Sequence, residues 1–269
     1  MITTADKRAT FQALHETGCF VIPNPWDVGS AVALQSLGFK ALASTSAGMA
    51  WAMGRPDGAV TRDEVLAHLA QLAAATDIPL NADFEGGFAD DPAGVAANVA
   101  LCAATGVAGL SIEDATGDAE TPLYDFTLAV ERIAAARAAL AGTGVLLTAR
   151  TEGFIRGRPD LDETVRRLTA FSDAGADVLY APGVRTEIEI ATVIRAVAPK
   201  PVNVLAPGLS VATLAELGAR RISVGASLAR TAWGEFLRAA REIATAGEFG
   251  AFERGAKGGD LNALFAGRS

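Results

Sequence analysis

Short apolar, β-rich runs alternate along the chain with longer stretches that have a helical character. Runs of this length and composition predict buried strands, and the stretches between them predict helices. Eight strands are predicted, at residues 19–23, 40–45, 78–84, 109–113, 145–150, 177–182, 201–206 and 221–225.

The stretches between the strands carry helix start signals. These include three patterns of the capping-box type and one Pro that suits a first helical position: Thr61 with Glu64, Asp160 with Glu163, Thr186 with Glu189, and Pro92 after Asp91. Eight strands, each followed by a helix, within about 250 residues predict a (β/α)8 barrel. A doubly wound sheet is the competing architecture, but it normally has a Gly-rich phosphate-binding fingerprint, and the sequence has none.

Residues 229–269 continue with a helical pattern after the eighth strand, beyond what one barrel unit needs. Residues 1–269 are therefore predicted to form a single barrel domain that ends in a C-terminal helical extension. The surplus apolar face of this extension has two interpretations. It packs against another subunit, or it folds over the bottom of its own barrel.

Composition and charge narrow the range of partners. The 269 residues are 50% hydrophobic, enough for a large core, but the apolar runs are too short to span a membrane. A formal net charge of −8 without basic runs argues against nucleic acid and anionic membranes. Residues 1–18 read as an amphipathic helix rather than an export signal, which predicts a cytoplasmic protein. Cys19 and Cys102 are predicted to be core residues.

Polar side chains collect at the carboxyl ends of three adjacent predicted strands. Alternate residues of a strand share a face, and the sequence predicts three such polar sets: Asn81, Asp83 and Glu85; Ser111 and Glu113; Thr148, Arg150 and Glu152. In a barrel, active sites are built at this end of the strands. Crowded carboxylates favour a bound cation, and oxygen ligands suit Mg²⁺ or Mn²⁺. We therefore expect a divalent-metal site here.

The two histidines, His15 and His68, both lie in predicted helices. Their placement argues against a zinc site and against a Ser-His-Asp triad. Acid–base chemistry is therefore expected from carboxylates, Tyr, Lys, Arg or metal-bound water.

Five motifs, in this order, resemble those of the isocitrate lyase/phosphoenolpyruvate mutase superfamily, over about residues 10–240. They are "STSAGMAWAMGRPD" (44–57), "ADFEGGFA" (82–89), "SIED" (111–114), "TARTEGFIRG" (148–157) and "PVNVL" (201–205). The resemblance implies a (β/α)8 barrel whose eighth helix is often exchanged with a neighbouring subunit, in a homodimer or homotetramer. It also implies a divalent metal and a small 2-oxo or 2-hydroxy carboxylate substrate.

The resemblance further assigns the metal shell. The family's D-x-D-x-G-x-G motif corresponds to residues 83–89, with Glu85 in place of the second Asp and Ala89 in place of the last Gly. Asp83, Glu85 and Glu113 would then surround the metal, mostly through water.

A second group of residues is expected to hold the substrate. By the same resemblance, Arg150 grips a substrate carboxylate, and the turn of Ser44, Thr45 and Ser46 binds the oxo-acid end through backbone N–H groups. Asp57 is the candidate base, or the group that orients a metal-bound water. Two further candidates belong to other strands: Trp26, after the first strand, as a pocket wall, and Asn203, at the end of the seventh strand, which donates to the substrate or pairs with backbone.

The loop after the fourth strand departs from the family pattern. Family lyases for isocitrate and 2-methylisocitrate carry K-[KR]-C-G-H there, with Cys as the general acid, whereas this chain reads "ATGDAETPLYDFTLAVERI". Without Cys, His or Lys, those two activities by the usual mechanism are not expected. Tyr124 could act as an acid or simply pack. Arg156 and Arg158 could reach a distal carboxylate or lie solvated on the surface.

The function predicted from these features is a Mg²⁺- or Mn²⁺-dependent lyase or decarboxylase. It would cleave or form a C–C bond next to a 2-oxo or 2-hydroxy carboxylic acid through a metal-stabilised enolate. The enzymatic alternative is P–C bond chemistry on phosphonopyruvate or phosphoenolpyruvate, and the other alternative is a barrel that binds an oxo acid without turnover. Retention of Asp57 and of all three metal-shell acids favours an enzyme.

Overall fold

The computed structural model describes residues 2–206 and 208–266, in which eight parallel strands form a nearly closed barrel. The strands are β1 Phe20–Ile22, β2 Leu42–Ala43, β3 Leu80–Asp83, β4 Gly109–Glu113, β5 Leu146–Arg150, β6 Val178–Tyr180, β7 Val202–Leu205 and β8 Arg221–Ser223. Strands β2 through β8 pair in chain order, each with the next, and β8 also pairs with β1. Between β1 and β2, the Ala43 N–H donates to the Pro23 carbonyl at 3.0 Å. The predicted (β/α)8 barrel is confirmed, with every strand end within two residues of its expected place.

Helices alternate with the strands and cover the outside of the barrel. In the described residues they are α1 Thr4–Glu16, α2 Val28–Ser36, α3 Ser46–Ala52, α4 Arg62–Ala75, α5 Pro92–Ala104, α6 Phe126–Ala139, α7 Leu161–Asp173, α8 Glu187–Val197, α9 Val211–Glu216, α10 Ser227–Ala246 and α11 Gly258–Ala266, with a 3₁₀ segment at Gly250–Arg254. None of them is long and apolar enough to cross a membrane.

The start of a helix is set locally by its cap. Thr61 and Thr186 form the predicted capping boxes with the residue three positions on, which satisfies two backbone N–H groups at each helix start. At α7 only half of the predicted box is present. The Asp160 carboxylate accepts from the Glu163 N–H at 2.9 Å, but the Glu163 carboxylate pairs with arginines of the next turn.

Helix α1 closes the amino end of the barrel. Phe11 is fully buried there, and its ring packs edge-to-face with those of His15 and Phe20. A Cβ on Gly109 would lie 2.6 Å from the Phe11 ring, so β4 needs glycine at the position that faces this plug. The amino end is therefore sealed, and ligands can enter at the opposite end.

The C-terminal helices divide into one that packs on the barrel and one that stands away from it. Phe265 of α11 lies beside Gly29 of α2, so α11 folds back onto its own barrel. Only Ala229 of α10 is buried, although the helix has 20 residues. A row of large apolar side chains is exposed from α10 into the following 3₁₀ segment: Leu228, Phe236, Leu237, Ile243, Phe249 and Phe252. We call this row the α10 apolar face.

Candidate active site

A cavity of about 590 Å³ opens at the carboxyl ends of the strands. The loops that follow β2, β3, β4 and β5 supply most of its wall, as expected for an active site in this kind of barrel. Its described lining holds four carboxyl groups but only two guanidinium groups, so acidic groups are in excess. The lining residues are Ser46, Asp57, Gly58, Glu85, Gly86, Phe88, Ala89, Asp90, Glu113, Ala115, Thr116, Gly117, Tyr124, Arg150 and Arg156.

The ten predicted site residues fall into three groups. Five line the large cavity: Ser46, Asp57, Glu85, Glu113 and Arg150. Ser44, Asp83 and Asn203, together with Arg150, line a smaller cavity of about 50 Å³ deeper in the barrel. Thr45 and Trp26 line neither cavity.

Arg150 lies at the centre of the acidic cluster. Its Nη1 is 3.4 Å from Asp83 Oδ1 and its Nε is 3.4 Å from Glu113 Oε2, and it also contacts the Glu152 carboxylate. The guanidinium carbon lies 5.3 Å from the centre of the Tyr180 ring. Burial alone would lower the pKa of Arg150, but the surrounding carboxylates raise it well above its ordinary value. Arg150 is therefore a permanent cation that neutralises acids from three strand ends.

Glu152 is fully buried and links the two basic residues of the site. It contacts Arg150, and its Oε2 lies 3.4 Å from Nε of Arg156. Arg156 also approaches Glu113, with 3.5 Å between Nη2 and Oε1. The sequence pattern placed Glu152 with Arg150 but gave it no role, because nothing local indicates that a residue just beyond β5 is buried.

The 44–46 turn holds Asp83 in place. The Ser44 hydroxyl accepts from the Asp83 backbone N–H at 2.8 Å, and the Ser46 N–H donates to Asp83 Oδ2 at 3.0 Å. Thr45 caps α3 by accepting from the Gly48 N–H at 3.3 Å. One of the N–H groups that was expected to face a substrate is thus engaged by a carboxylate of the site.

Trp26 supports the turn from outside the cavity. It packs against α3, where a Cβ on Gly48 would lie 2.9 Å from the Trp26 Cβ. Trp26 thus lies against the helix that begins at the site, and it is not among the residues that line the large cavity.

The side-chain amide of Asn203 hydrogen-bonds to neighbouring side chains inside the barrel rather than to backbone groups. Its Oδ1 accepts from Nε of Arg221 at 2.9 Å, and its Nδ2 donates to the Ser223 hydroxyl at 2.9 Å. Arg221 is itself buried and also donates to Thr148 Oγ1 at 3.0 Å. Burial lowers the pKa of Arg221 to about 10. Sequence reasoning missed this residue, since an Arg at the start of a strand usually reads as exposed.

Glu85 lines the cavity, but the alternation of side chains along a strand does not explain its position. Strand β3 ends at Asp83, and Glu85 adopts a left-handed backbone conformation, with φ of 48°. This conformation is uncommon outside Gly, Asn and Asp. The expectation that Glu85 continues the strand face of Asp83 is therefore wrong in its geometry, although both residues lie at the same mouth. A left-handed acid next to the cavity is the kind of strain that functional sites retain.

Two carboxylates of the cavity are held against ionisation. Burial, followed by the negative charges of Asp83 and Asp57, raises the pKa of Glu85 to about 7. Burial also raises the pKa of Glu113 to about 8; Arg150 opposes this shift, and Glu152 adds to it. Perturbed acids that share a cleft are typical of functional sites.

The donor set fits a divalent cation that keeps most of its water. Within residues 2–206 and 208–266, no three Asp, Glu, His or Cys side chains converge closely enough to hold a metal ion alone. Mg²⁺ usually takes only one or two carboxylates and completes its shell with water and substrate. The excess of buried carboxylates with raised pKa values is what such a cation would relieve.

The loop after β4 is tied across the cavity mouth. The Tyr124 hydroxyl donates to Asp90 Oδ1 at 2.5 Å, and the Arg132 guanidinium lies 4.0 Å from the centre of the Tyr124 ring. Burial and the bond to Asp90 raise the pKa of Tyr124 to about 12. Tyr124 is therefore a weaker acid than an ordinary Tyr, which favours its packing role.

Three comparisons place the chain among known proteins. The family model described as phosphoenolpyruvate phosphomutase matches residues 11–244. An uncharacterised protein of Mycobacterium tuberculosis is 37% identical over 220 residues, which are 80% of this chain and 81% of that protein.

Two crystal structures superpose closely. A Burkholderia cenocepacia J2315 protein, provisionally assigned as a lyase or mutase, is 50% identical with a TM-score of 0.94, covering 98% of this chain and 96% of its own. A 2,3-dimethylmalate lyase, a member of the PEP mutase/isocitrate lyase superfamily, is 27% identical with a TM-score of 0.84, covering 98% and 95%. The chain belongs to the phosphoenolpyruvate phosphomutase family, within the isocitrate lyase/PEP mutase superfamily.

Proposed function

We propose that this protein is a Mg²⁺- or Mn²⁺-dependent lyase or decarboxylase that cleaves or forms a C–C bond next to a 2-oxo or 2-hydroxy carboxylic acid. The observation that carries the proposal is the clustering of Asp57, Glu85, Glu113 and Arg150 around one cavity at the carboxyl ends of the strands. The likeness to a 2,3-dimethylmalate lyase supports C–C bond chemistry.

In this proposal, Asp83, Glu85 and Glu113 hold the cation, mostly through water, and Arg150 keeps the first and last of these acids in place. When bound, the cation supplies a positive charge for the carboxylate and oxo oxygens of the substrate. In a decarboxylation, the C–C bond to the departing carboxylate breaks, and its electron pair moves onto the oxo oxygen as an enolate. The enolate then takes up a proton at carbon. Preorganised charge at that oxygen lowers the barrier.

Asp57 is the proposed base, or the residue that orients a water. It lies on the loop between α3 and α4, is exposed to the cavity, and its charge is close enough to raise the pKa of Glu85. An exposed carboxylate can reach a substrate hydroxyl without prior loss of a partner, as a general base requires.

P–C bond chemistry is the second candidate, because the matching family model is that of a phosphoenolpyruvate phosphomutase. The acid-rich lining of the cavity argues against it. A phosphoryl or phosphonyl group carries more negative charge than a carboxylate and would face Asp57, Glu85 and Asp90. The C–C reaction is therefore the one we favour.

The test is a proton and phosphorus NMR screen with Mg²⁺, with and without EDTA, on oxaloacetate, 2,3-dimethylmalate, 2-methylisocitrate and phosphonopyruvate. We expect a metal-dependent oxo-acid product from a C–C substrate, at least about 100-fold slower in Asp57→Asn and unchanged in the exposed control Asp162→Asn. Phosphate or phosphoenolpyruvate from phosphonopyruvate would establish the second candidate instead. Binding of oxo acids without any product would contradict an enzyme.

We also propose that the protein works in the cytoplasm as a homodimer or homotetramer. The two cysteines, Cys19 and Cys102, are free thiols, which suits a reducing compartment. The α10 apolar face offers a surface that a second subunit would cover, and exchange of this helix between subunits is the arrangement that the family resemblance implies.

A further inference from the structure

The large cavity offers two cationic side chains, and they differ in availability. Arg150 is 17% exposed and is surrounded by three carboxylates. Arg156 is 43% exposed, and its closest carboxylate atoms, on Glu152 and Glu113, are 3.4 and 3.5 Å away. Arg150 contacts the same two acids, so Glu152 and Glu113 keep a cationic partner when Arg156 turns away. Arg156 is therefore the cation of the cavity that can turn to a ligand at small cost.

The rest of the cavity wall repels a second negative group. Asp57, Glu85 and Asp90 line it, and the loop after β4 adds small residues and Tyr124 but no basic residue among those described. A substrate whose reacting end is held at the metal-shell acids must place its other end within this wall. A carboxylate at that end is stabilised beside Arg156 and destabilised beside the acids.

The backbone around Arg156 is held by hydrogen bonds, whereas its side chain is half-exposed. The N–H groups of Ile155 and Arg156 each donate to the Glu152 carbonyl at 3.0 Å, and Glu152 is fully buried. Gly157 follows with φ of +75° and no atom close to where a Cβ would stand. The turn thus anchors the side chain at its base and leaves the guanidinium free to change partners, which is a preorganised arrangement for binding.

We propose that Arg156 binds a distal carboxylate and so selects dicarboxylic 2-oxo or 2-hydroxy acids over monocarboxylic ones. This inference rests on the proposed function and names the substrate class for it. A guanidinium matches a carboxylate with two parallel N–H donors, which gives both attraction and geometry. Without ligand, Arg156 pairs with Glu152 and Glu113; with ligand, it turns its free donors to the incoming carboxylate.

Arg158 supplies the matched control. It lies two residues further on, and it lines a separate cavity beside Thr164 and Arg167. It is an exposed arginine on the same segment, so its replacement by Gln changes the net charge equally. Among the two arginines that the sequence offered for a distal carboxylate, only Arg156 faces the acidic cavity.

The test is calorimetric binding, with Mg²⁺ present, of malate and of 2-hydroxybutyrate. The two ligands share the hydroxy-acid end and differ only in a carboxylate or a methyl at the other end. Oxalate, which has no distal group, reports the metal end alone. We expect wild type and Arg158→Gln to prefer malate by about tenfold or more. In Arg156→Gln this preference should fall below about threefold, and Arg156→Lys should recover part of it.

The ratio of the two affinities is the measured quantity, because a change in metal binding affects both ligands equally. If wild type binds oxalate but binds malate and 2-hydroxybutyrate with equal affinity, the inference is overturned and the proposed function stands. A preference that persists in Arg156→Gln would also overturn it. Failure of oxalate and both hydroxy acids to bind wild type would overturn the proposed function, and this inference with it.

Discussion

Burial disfavours the ionised form of Glu85 and Glu113, although a carboxylate must be ionised to bind a metal. The ordinary pKa of a Glu carboxyl, 4.5, rises to about 7 and about 8 at these positions. A raised carboxyl pKa means that the folded protein binds more protons than the unfolded chain over this range. These two residues therefore stabilise the fold least where they are ionised, and a bound cation reverses that effect.

The first expectation concerns pH. Between about pH 4.5 and pH 8, the contribution of these two acids to the free energy of unfolding falls as pH rises, because the native state must release their protons. Without metal, we expect the melting temperature of Glu113→Gln to rise relative to that of wild type between pH 5 and pH 8, so that the variant is the more stable protein at pH 8. Mg²⁺ should reverse this order at pH 8, since cation binding needs the ionised carboxylate.

Thermal melts at several pH values, with Mg²⁺ or with EDTA, measure this directly. Glu120→Gln, an acid in the exposed part of the loop after β4, is the control and should show no pH-dependent difference from wild type. A wild type that gains stability over the variant towards pH 8 in EDTA would contradict the raised pKa values.

At the scale of elements, helix α6 controls the loop that carries Glu85. Arg132 of α6 is buried and donates to backbone carbonyls of the β3–α5 loop: to Asp90 at 2.6 Å, and also to Gly86 and Ala89. These three bonds tie the loop to α6. One side chain thus fixes the loop whose left-handed turn aims Glu85 at the cavity.

We expect Arg132→Gln to lower stability by roughly 3 kcal/mol, because it removes the hydrogen bonds of a buried guanidinium to three loop carbonyls. It should also weaken Mg²⁺ and oxalate binding, since the Glu85 loop loses its support. Urea unfolding and calorimetry check both effects. Arg166→Gln, which removes an exposed ion pair with Glu163, should change stability by less than about 0.5 kcal/mol. If Arg132→Gln binds Mg²⁺ and oxalate as wild type does, the Glu85 loop keeps its conformation without Arg132.

Features that depend on a local sequence pattern were predictable from the sequence, whereas features that depend on residues distant in the chain were not. Strand runs and capping residues are local, so the barrel order and the starts at Thr61 and Thr186 were predictable. The convergence of the acids followed from the rule that strand ends share one mouth. The left-handed turn at Glu85 and the burial of Glu152 and Arg132 depend on residues far along the chain, which no periodicity reveals.

At the scale of the whole molecule, the α10 apolar face is a set of large apolar side chains that the barrel leaves exposed. Phe236, Phe249 and Phe252 are each about 60% exposed, and a group of large exposed apolar side chains is typical of an interaction site. Homo-oligomers usually bury such faces in symmetric interfaces. The proposed assembly therefore depends on this helix.

We expect Phe236→Glu to shift the protein towards the monomer, because a charge would be buried at the interface between subunits. Sedimentation velocity measures the change in mass. Leu101→Glu on α5 introduces the same charge at another exposed apolar position and should leave the mass unchanged. A wild type that sediments as a monomer would remove the proposed assembly.

The closure of the barrel also has a consequence for the order of events during synthesis. Strand β1 pairs with β8, and His15 Nε2 of α1 lies 3.4 Å from Nη1 of Arg221, 206 residues away in sequence. During synthesis, α1 and β1 cannot make these contacts until β8 has emerged from the ribosome. Contacts of such long range are slow to form. A nascent chain of this protein therefore spends most of its synthesis with an open sheet edge, when chaperones have the greatest opportunity to bind it.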